Sequence, residues 1–251
     1  VALGGSTASG TASTDSDVDL YVYAAPELDM ADRARIARAG GSRCEIDNRF
    51  FEPGDEWVDV ATGLAVDVMF RELGWIEDQI DRVLVRHEAS VGYSTCFWHN
   101  VRSSEPLFDR DGWFAALRRR AEVPYPEPLR LAVVAKNHPL LRDHLSSFLH
   151  QVERAVARGD RVSVNHRVAA LLASVFDILF AVNREPHPGE KRLVEIVEAR
   201  CPRRPPDFAR RVNDLVASVA SAGSNEEYVA SSASGLVDSL DEILRAEGLL
   251  P

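Results

Sequence analysis

The sequence predicts an α+β chain, with strands and short helices over residues 1–112 and helices alone over residues 113–251. Three observations carry this expectation. Apolar residues alternate with polar ones at Val18, Leu20 and Val22, and again at Val66, Val68 and Phe70 around Asp67, the period-2 pattern of strands with one buried face. Past Asp109-Arg110-Asp111-Gly112 the apolar residues recur at helical spacing from Trp113 onward. Between a small-residue turn, Gly4-Gly5-Ser6, and the first long strand lies a Ser/Thr/Gly/Ala tract that ends in Asp17-Val18-Asp19.

In chain order, the first strand is centred on Val18–Val22. Leu28–Ala39, charged and Ala-rich, reads as a helix stopped by Gly40-Gly41. Arg43–Phe51 and Glu56–Ala61 read as strands joined by the turn Glu52-Pro53-Gly54-Asp55. Leu64–Phe70 is a third long strand, and Trp75–His87 a helix by its Ile76, Ile80, Val83 and Leu84 spacing. After residue 112 the expected breaks fall at the proline cluster 124–128, Pro139, Gly159, 185–189 and Pro202–Pro206, which leaves five or six helices. The Ser/Ala-rich segment 218–235 reads as helix and turn. A domain boundary is placed at residue 112, with a catalytic domain before it and a helical domain after it.

The chain has 251 residues, of which 45% are hydrophobic and 27% charged, enough for one large domain or two modest ones with real cores. The longest apolar stretch, Val168–Val182, is broken by Asp177 and is short for a membrane span, so a buried helix is expected. No signal peptide is visible, and the chain opens at Val1. Three widely spaced cysteines, Cys44, Cys96 and Cys201, match neither a disulfide framework nor a zinc site and suit a reducing cytoplasm. The seven histidines show no metal-binding spacing.

The net charge of −10 disfavours a nucleic-acid backbone as the main partner. The clusters Arg118-Arg119-Arg120 and Arg203-Arg204 read as solvated charge. An acidic chain better suits a cationic or neutral small substrate. Lys136 and Lys191 are the only lysines against an arginine background, which singles them out as candidate contacts for a compact anion.

Asp17 and Asp19 are two apart on a strand and share a face. Two carboxylates this close repel unless a cation neutralises them, and Mg²⁺ suits one or two carboxylates with phosphate oxygens and water. Asp67, the polar member of a second strand, would complete a two-metal phosphoryl-transfer site. Gly5 and Ser6 can present backbone amides to a phosphate. No G-x-x-x-x-G-K-[ST] and no strand-to-helix G-x-G-x-x-G is present, so neither a P-loop nor a dinucleotide site is supported.

Gly5-Ser6, a ten-residue spacer, then Asp17-Val18-Asp19-Leu20, with Gly10 and the Asp15-Ser16 lead-in inside the spacer, resembles the signature of the DNA polymerase β-type nucleotidyltransferase superfamily, as does the later Val66-Asp67-Val68. Pro53-Gly54-Asp55-Glu56-Trp57, Gly63, Val66–Met69 and Pro188–Leu193 resemble small prokaryotic members with a helical C-terminal domain, the antibiotic adenylyltransferase-like kind. The resemblance implies a mixed β-sheet with flanking helices followed by an all-α domain. It also implies an enzyme that moves a nucleoside monophosphate, AMP from ATP or the equivalent from another NTP, to a hydroxyl of a small-molecule acceptor such as an aminoglycoside-like antibiotic, releasing pyrophosphate.

By that resemblance Asp17, Asp19 and Asp67 bind Mg²⁺, Gly5 and Ser6 hold the β- and γ-phosphates, and Lys191 or Lys136 reaches a phosphate as the helical domain closes over the nucleotide. If a separate base activates the acceptor, Glu45, Asp47, Glu52 and Glu56 are the candidates nearest in sequence. Asn165-His166 and Asn183-Arg184 are either cleft residues or helix caps. Two other functions remain open: an antitoxin-type enzyme that adenylylates a protein, and a nucleotide-binding regulatory module without turnover.

Overall fold

The computed structural model describes residues 1–8, 16–25, 27–50, 52–220 and 226–250. Gly10, Asp15 and most of the Ser/Thr/Gly/Ala spacer therefore lie outside the described residues, as does 221–225 of the 218–235 segment. The elements run β1 (Ala2–Leu3), α1 (Gly5–Ala8), β2 (Val18–Tyr23), α2 (Met30–Gly40), β3 (Gly41–Asn48), β4 (Gly54–Asp59), β5 (Ala65–Arg71), α3 (Leu73–Leu84), α4 (Cys96–Ser103) and β6 (Glu105–Pro106). Helices alone follow: α5 (Trp113–Ala121), α6 (Glu127–Arg142), α7 (Phe148–Ala157), α8 (Arg161–Val182), α9 (Leu193–Arg200), α10 (Phe208–Ala220) and α11 (Glu226–Ala246). The expected α+β class is the one observed.

The chain divides into two compact units, Val1–Arg82 with Phe97–Val123, and Val83–Cys96 with Pro124–Pro251. The residue-112 boundary falls inside the first unit. Helix α5 belongs there because Tyr23 of β2 packs its ring 5.4 Å from those of Trp113 and Phe114. The Trp98 indole also donates to the Ala121 carbonyl at 2.8 Å.

The first unit is built on a six-stranded mixed sheet in the order β3-β4-β5-β2-β1-β6. The central β2–β5 pair is parallel and the others are antiparallel. Helix α2 starts where the Asp29 carboxylate accepts from the Ala31 N–H at 2.8 Å and ends at Gly41, so it begins two residues later than expected. It covers one sheet face through Ala37 and Arg33, whose guanidinium sits 4.0 Å from the Phe70 ring centroid. Arg33 forms a buried two-point ion pair with Asp55 of β4, at 3.0 and 2.6 Å. Aromatic residues of α3, α4 and α5 cover the opposite face. As a result Tyr21, on the side of β2 opposite Val18, Leu20 and Val22, is only 6% exposed.

The second unit packs around α8, whose residues from Ser174 to Val182 are all buried. α8 is long and apolar enough to cross a membrane by composition, yet most of it is buried inside the unit, as expected of a core helix. Asp177, which interrupts the apolar run, accepts from the Ser94 N–H, the Ser94 hydroxyl and the Asn137 amide, tying the 83–96 segment to α6 and α8. After Gly112, seven helices stand among the described residues rather than five or six, with α10 and α11 as separate elements, and Pro139 does not break α6. One more turn buries Leu141 and pairs Arg142 with Asp238 at 2.7 Å, which offsets the one hydrogen bond Pro139 cannot make.

Candidate functional site

Strands β2 and β5 form the centre of the site. Asp19 and Asp67 are direct partners in the parallel β2–β5 ladder, so their side chains project side by side from one face. The ladder continues across the sheet. Glu56 of β4 is the direct partner of Asp67, and Glu45 of β3 is the direct partner of Glu56. Glu45, Glu56, Asp67 and Asp19 thus form a row of four carboxylates, one per strand, on a single face. With strands about 4.8 Å apart, the row spans roughly 14 Å. Asp17 lies just before β2 on the same alternation and is partly buried.

Like charges placed directly opposite one another destabilise a sheet. The Asp67 carboxyl is pushed up to about 6, first by burial and then by the negative charges of Glu56, Asp19, Asp17 and Glu52. Among the described residues no cation is paired with Asp67, and every charge acting on it is anionic. The Asn48 amide donates to Glu56 at 2.8 Å and fixes its direction.

The small-residue turn seats directly on this row. The Gly4 N–H donates to the Asp19 carbonyl at 2.8 Å. Gly5 has φ +62°, and a Cβ there would lie 1.7 Å from Asp19 Oδ2; at Gly4 a Cβ would lie 2.0 Å from Tyr21 Cε2. Both positions therefore require glycine, Gly5 for a left-handed backbone as well as for space. Ser6 lies within α1 beside them, and the Thr7 hydroxyl donates to the Asp17 carbonyl at 3.2 Å.

Of the four carboxylates considered as acceptor-side bases, two have structural roles. Glu52 makes a two-point ion pair with the buried Arg71, at 2.7 and 2.8 Å. Asp47 pairs with Arg49 at 2.9 Å. Only Glu45 and Glu56 join the row, and only Glu56 is adjacent to Asp67. The row itself has no signature in the sequence, because it is made by the register between strands rather than by spacing along the chain.

Lys136, on α6, and Lys191, in the turn before α9, are exposed residues of the second unit, whereas the aspartates and the glycine turn belong to the first. Asn183 caps α8 and holds the 203 backbone through its amide, and Asn165 and His166 are exposed on α8. The clustered arginines are engaged locally: Arg118 with the Arg102 carbonyl, Arg120 with Asp81, Arg203 with Glu247 and Arg204 with Glu198. Among the described residues no group of three or more His, Cys, Asp or Glu side chains is closed into a metal-ligating arrangement. The donor chemistry nonetheless fits a hard divalent cation, since Asp19 and Asp67 are adjacent carboxylates in excess negative charge.

Residues 1–91 match the family model described as "Nucleotidyltransferase domain", and residues 98–193 match one described as "Domain of unknown function (DUF4037)". No curated protein matches the chain. Among solved structures, a nucleotidyltransferase-like protein from Exiguobacterium sibiricum 255-15 is similar at 15% identity with a TM-score of 0.41. That match covers 77% of this chain and 57% of the other, so the chain spans little more than half the length of that structure. Residues 1–91, which carry the glycine turn and the three aspartates, are a nucleotidyltransferase domain of the polymerase β type.

Proposed function

We propose that the chain transfers a nucleoside monophosphate from an NTP, ATP in the simplest case, to a hydroxyl of a small acceptor that also carries amines, and releases pyrophosphate. The acceptor class includes aminoglycoside-like polyhydroxylated amines. The observation that carries the reading is the row Glu45–Glu56–Asp67–Asp19. One end of the row adjoins the glycine turn, where phosphates and a divalent cation would compensate Asp19 and Asp67. The other end, Glu56 and Glu45, is left for a substrate that brings its own positive charge.

Asp17, Asp19 and Asp67 are the residues that would hold Mg²⁺, which when bound neutralises charge on the triphosphate. Gly5 and Ser6, in the turn that seats against the Asp19 carboxylate, would hold the β- and γ-phosphates. The acceptor hydroxyl oxygen forms a bond to the α-phosphorus, the bond from that phosphorus to the bridging oxygen breaks, and pyrophosphate leaves with the electron pair. Glu56 lies beside Asp67, is oriented by Asn48, and accepts the hydroxyl proton.

The test incubates the full chain with Mg²⁺, each common NTP, and a panel of aminoglycosides, neutral sugars and acidic sugars, reading pyrophosphate release and acceptor mass. Transfer to amine-bearing hydroxyl acceptors and not to acidic ones is expected. Glu56→Gln should lower turnover by about 10²-fold or more. ATP binding without product from any acceptor would replace this reading with a nucleotide-binding module, and mass gain on a co-purifying protein would replace it with protein adenylylation.

A further inference from the structure

We infer that Arg71 is a positioning residue for the glycine turn, acting through the ring of Tyr21. The inference rests on the proposed reading of that turn as the phosphate-holding element. Arg71 ends β5 and is 8% exposed. Its guanidinium donates to both Glu52 oxygens, its Nη1 donates to Asn100 Oδ1 at 3.4 Å, and its Cζ lies 4.3 Å from the Tyr21 ring centroid. Asn100 donates in turn to the Tyr21 hydroxyl at 2.8 Å, so one amide on α4 holds both the arginine and the tyrosine.

The ring edge of Tyr21 occupies the space that a side chain at Gly4 would fill, with Cε2, Cζ and Cδ2 all within 2.9 Å of where that Cβ would be. Tyr21 and Asp19 are alternate residues on one face of β2, and Gly4 and Gly5 seat on them in the same order. The position of the guanidinium therefore fixes the ring, the ring limits where Gly4 can lie, and Gly4 carries Gly5 to the Asp19 carboxylate. Ion pairs of this kind are weak evidence for a stabilising role, because the desolvation of the charges offsets much of their attraction. What the planar fork adds is one fixed orientation, locked at Glu52 and stacked on an aromatic face.

The experiment measures binding of a non-hydrolysable ATP analogue with Mg²⁺ to the full chain by calorimetry, with circular dichroism and thermal melts to establish that each variant is folded. Arg71→Lys keeps the charge but loses the fork and the stacking; it should weaken nucleotide binding about tenfold. Tyr21→Leu should do the same, whereas Tyr21→Phe keeps the ring against Gly4 and should stay within about threefold of the parent chain. If Arg71→Lys does not fold, Asn100→Ala leaves the Glu52 pair intact and takes its place, with the same direction of effect. Folded Arg71→Lys and Tyr21→Leu chains that bind like the parent overturn this inference alone. Failure of the parent chain to bind any nucleotide overturns both this inference and the function on which it rests.

Discussion

Replacing Gly5 by alanine separates two reasons for a glycine that usually act together. Gly5 has φ +62°, and an alanine in the left-handed region costs about 1–2 kcal/mol. Its Cβ would also meet Asp19 Oδ2 at 1.7 Å, whereas ordinary contact begins near 3.4 Å, so the carboxylate and the turn must move about 1.7 Å further apart. Gly63 supplies the control: φ is +74°, and a Cβ there meets nothing within 4 Å.

Both variants should lose the backbone cost of about 1–2 kcal/mol, and Gly5→Ala more, because of the steric displacement, read by urea unfolding. Only Gly5→Ala should displace a proposed metal- and phosphate-side group. A misplacement on the order of 1 Å lowers turnover by about 10²-fold, and nucleotide binding read by calorimetry should fall with it. If Gly5→Ala binds and turns over nucleotide within about threefold of Gly63→Ala, the close approach to Asp19 is irrelevant and the site is misplaced.

Further expected outcomes concern the scaffold. Asp55→Ala leaves the Arg33 guanidinium, with a side chain 1% exposed, without its two-point partner; it should cost about 3–5 kcal/mol in chemical unfolding, and Arg33→Met with Asp55→Leu should recover much of that loss. Asp109 caps α5 by accepting from the Ala115 and Phe114 N–H groups, and these bonds hold its carboxyl below the usual range. Its contribution is therefore present above the unfolded-state pKa near 4 and is lost as pH falls through the lower folded value, so the melting difference between the parent chain and Asp109→Asn should vanish under strong acid. Cys201 is fully buried, and burial pushes its thiol up to about 12. Iodoacetamide on the native chain at about pH 8 should spare it and label the partly exposed Cys44, and labelling of Cys201 before unfolding would contradict the packing around it.

Residues that act through spacing along the chain are legible without coordinates. Strand alternation identifies Asp17, Asp19 and Asp67, and small residues mark the glycine turn. The change to helices after Gly112 follows from apolar periodicity. Features that depend on a partner remote in sequence are not legible. Pro139 reads as a helix break because the burial of Leu141 and the Arg142–Asp238 pair cannot be seen locally. The burial of Tyr21 does not show in the alternation of β2 because the helices that cover it come from residues 73–121. The placement of α5 in the first unit escapes the local pattern for the same reason.

Alternation along a single strand decides only which residues share a face. It places Asp19 on the polar side of β2 and Asp67 on the polar side of β5, and with the glycine turn these residues carry the resemblance to nucleotidyltransferases. Pairing between strands decides which faces adjoin, and it depends on the whole sheet, including the irregular register of β3 against β4. Only that pairing sets Asp19 beside Asp67, places Glu56 and Glu45 in line with them, and gives Glu52 to Arg71. The sequence by itself determined the resemblance to a nucleotidyltransferase domain, through residues that lie close together along the chain. The tertiary structure decided which carboxylates stand in one row, because the charge of a row exists only once its strands are side by side.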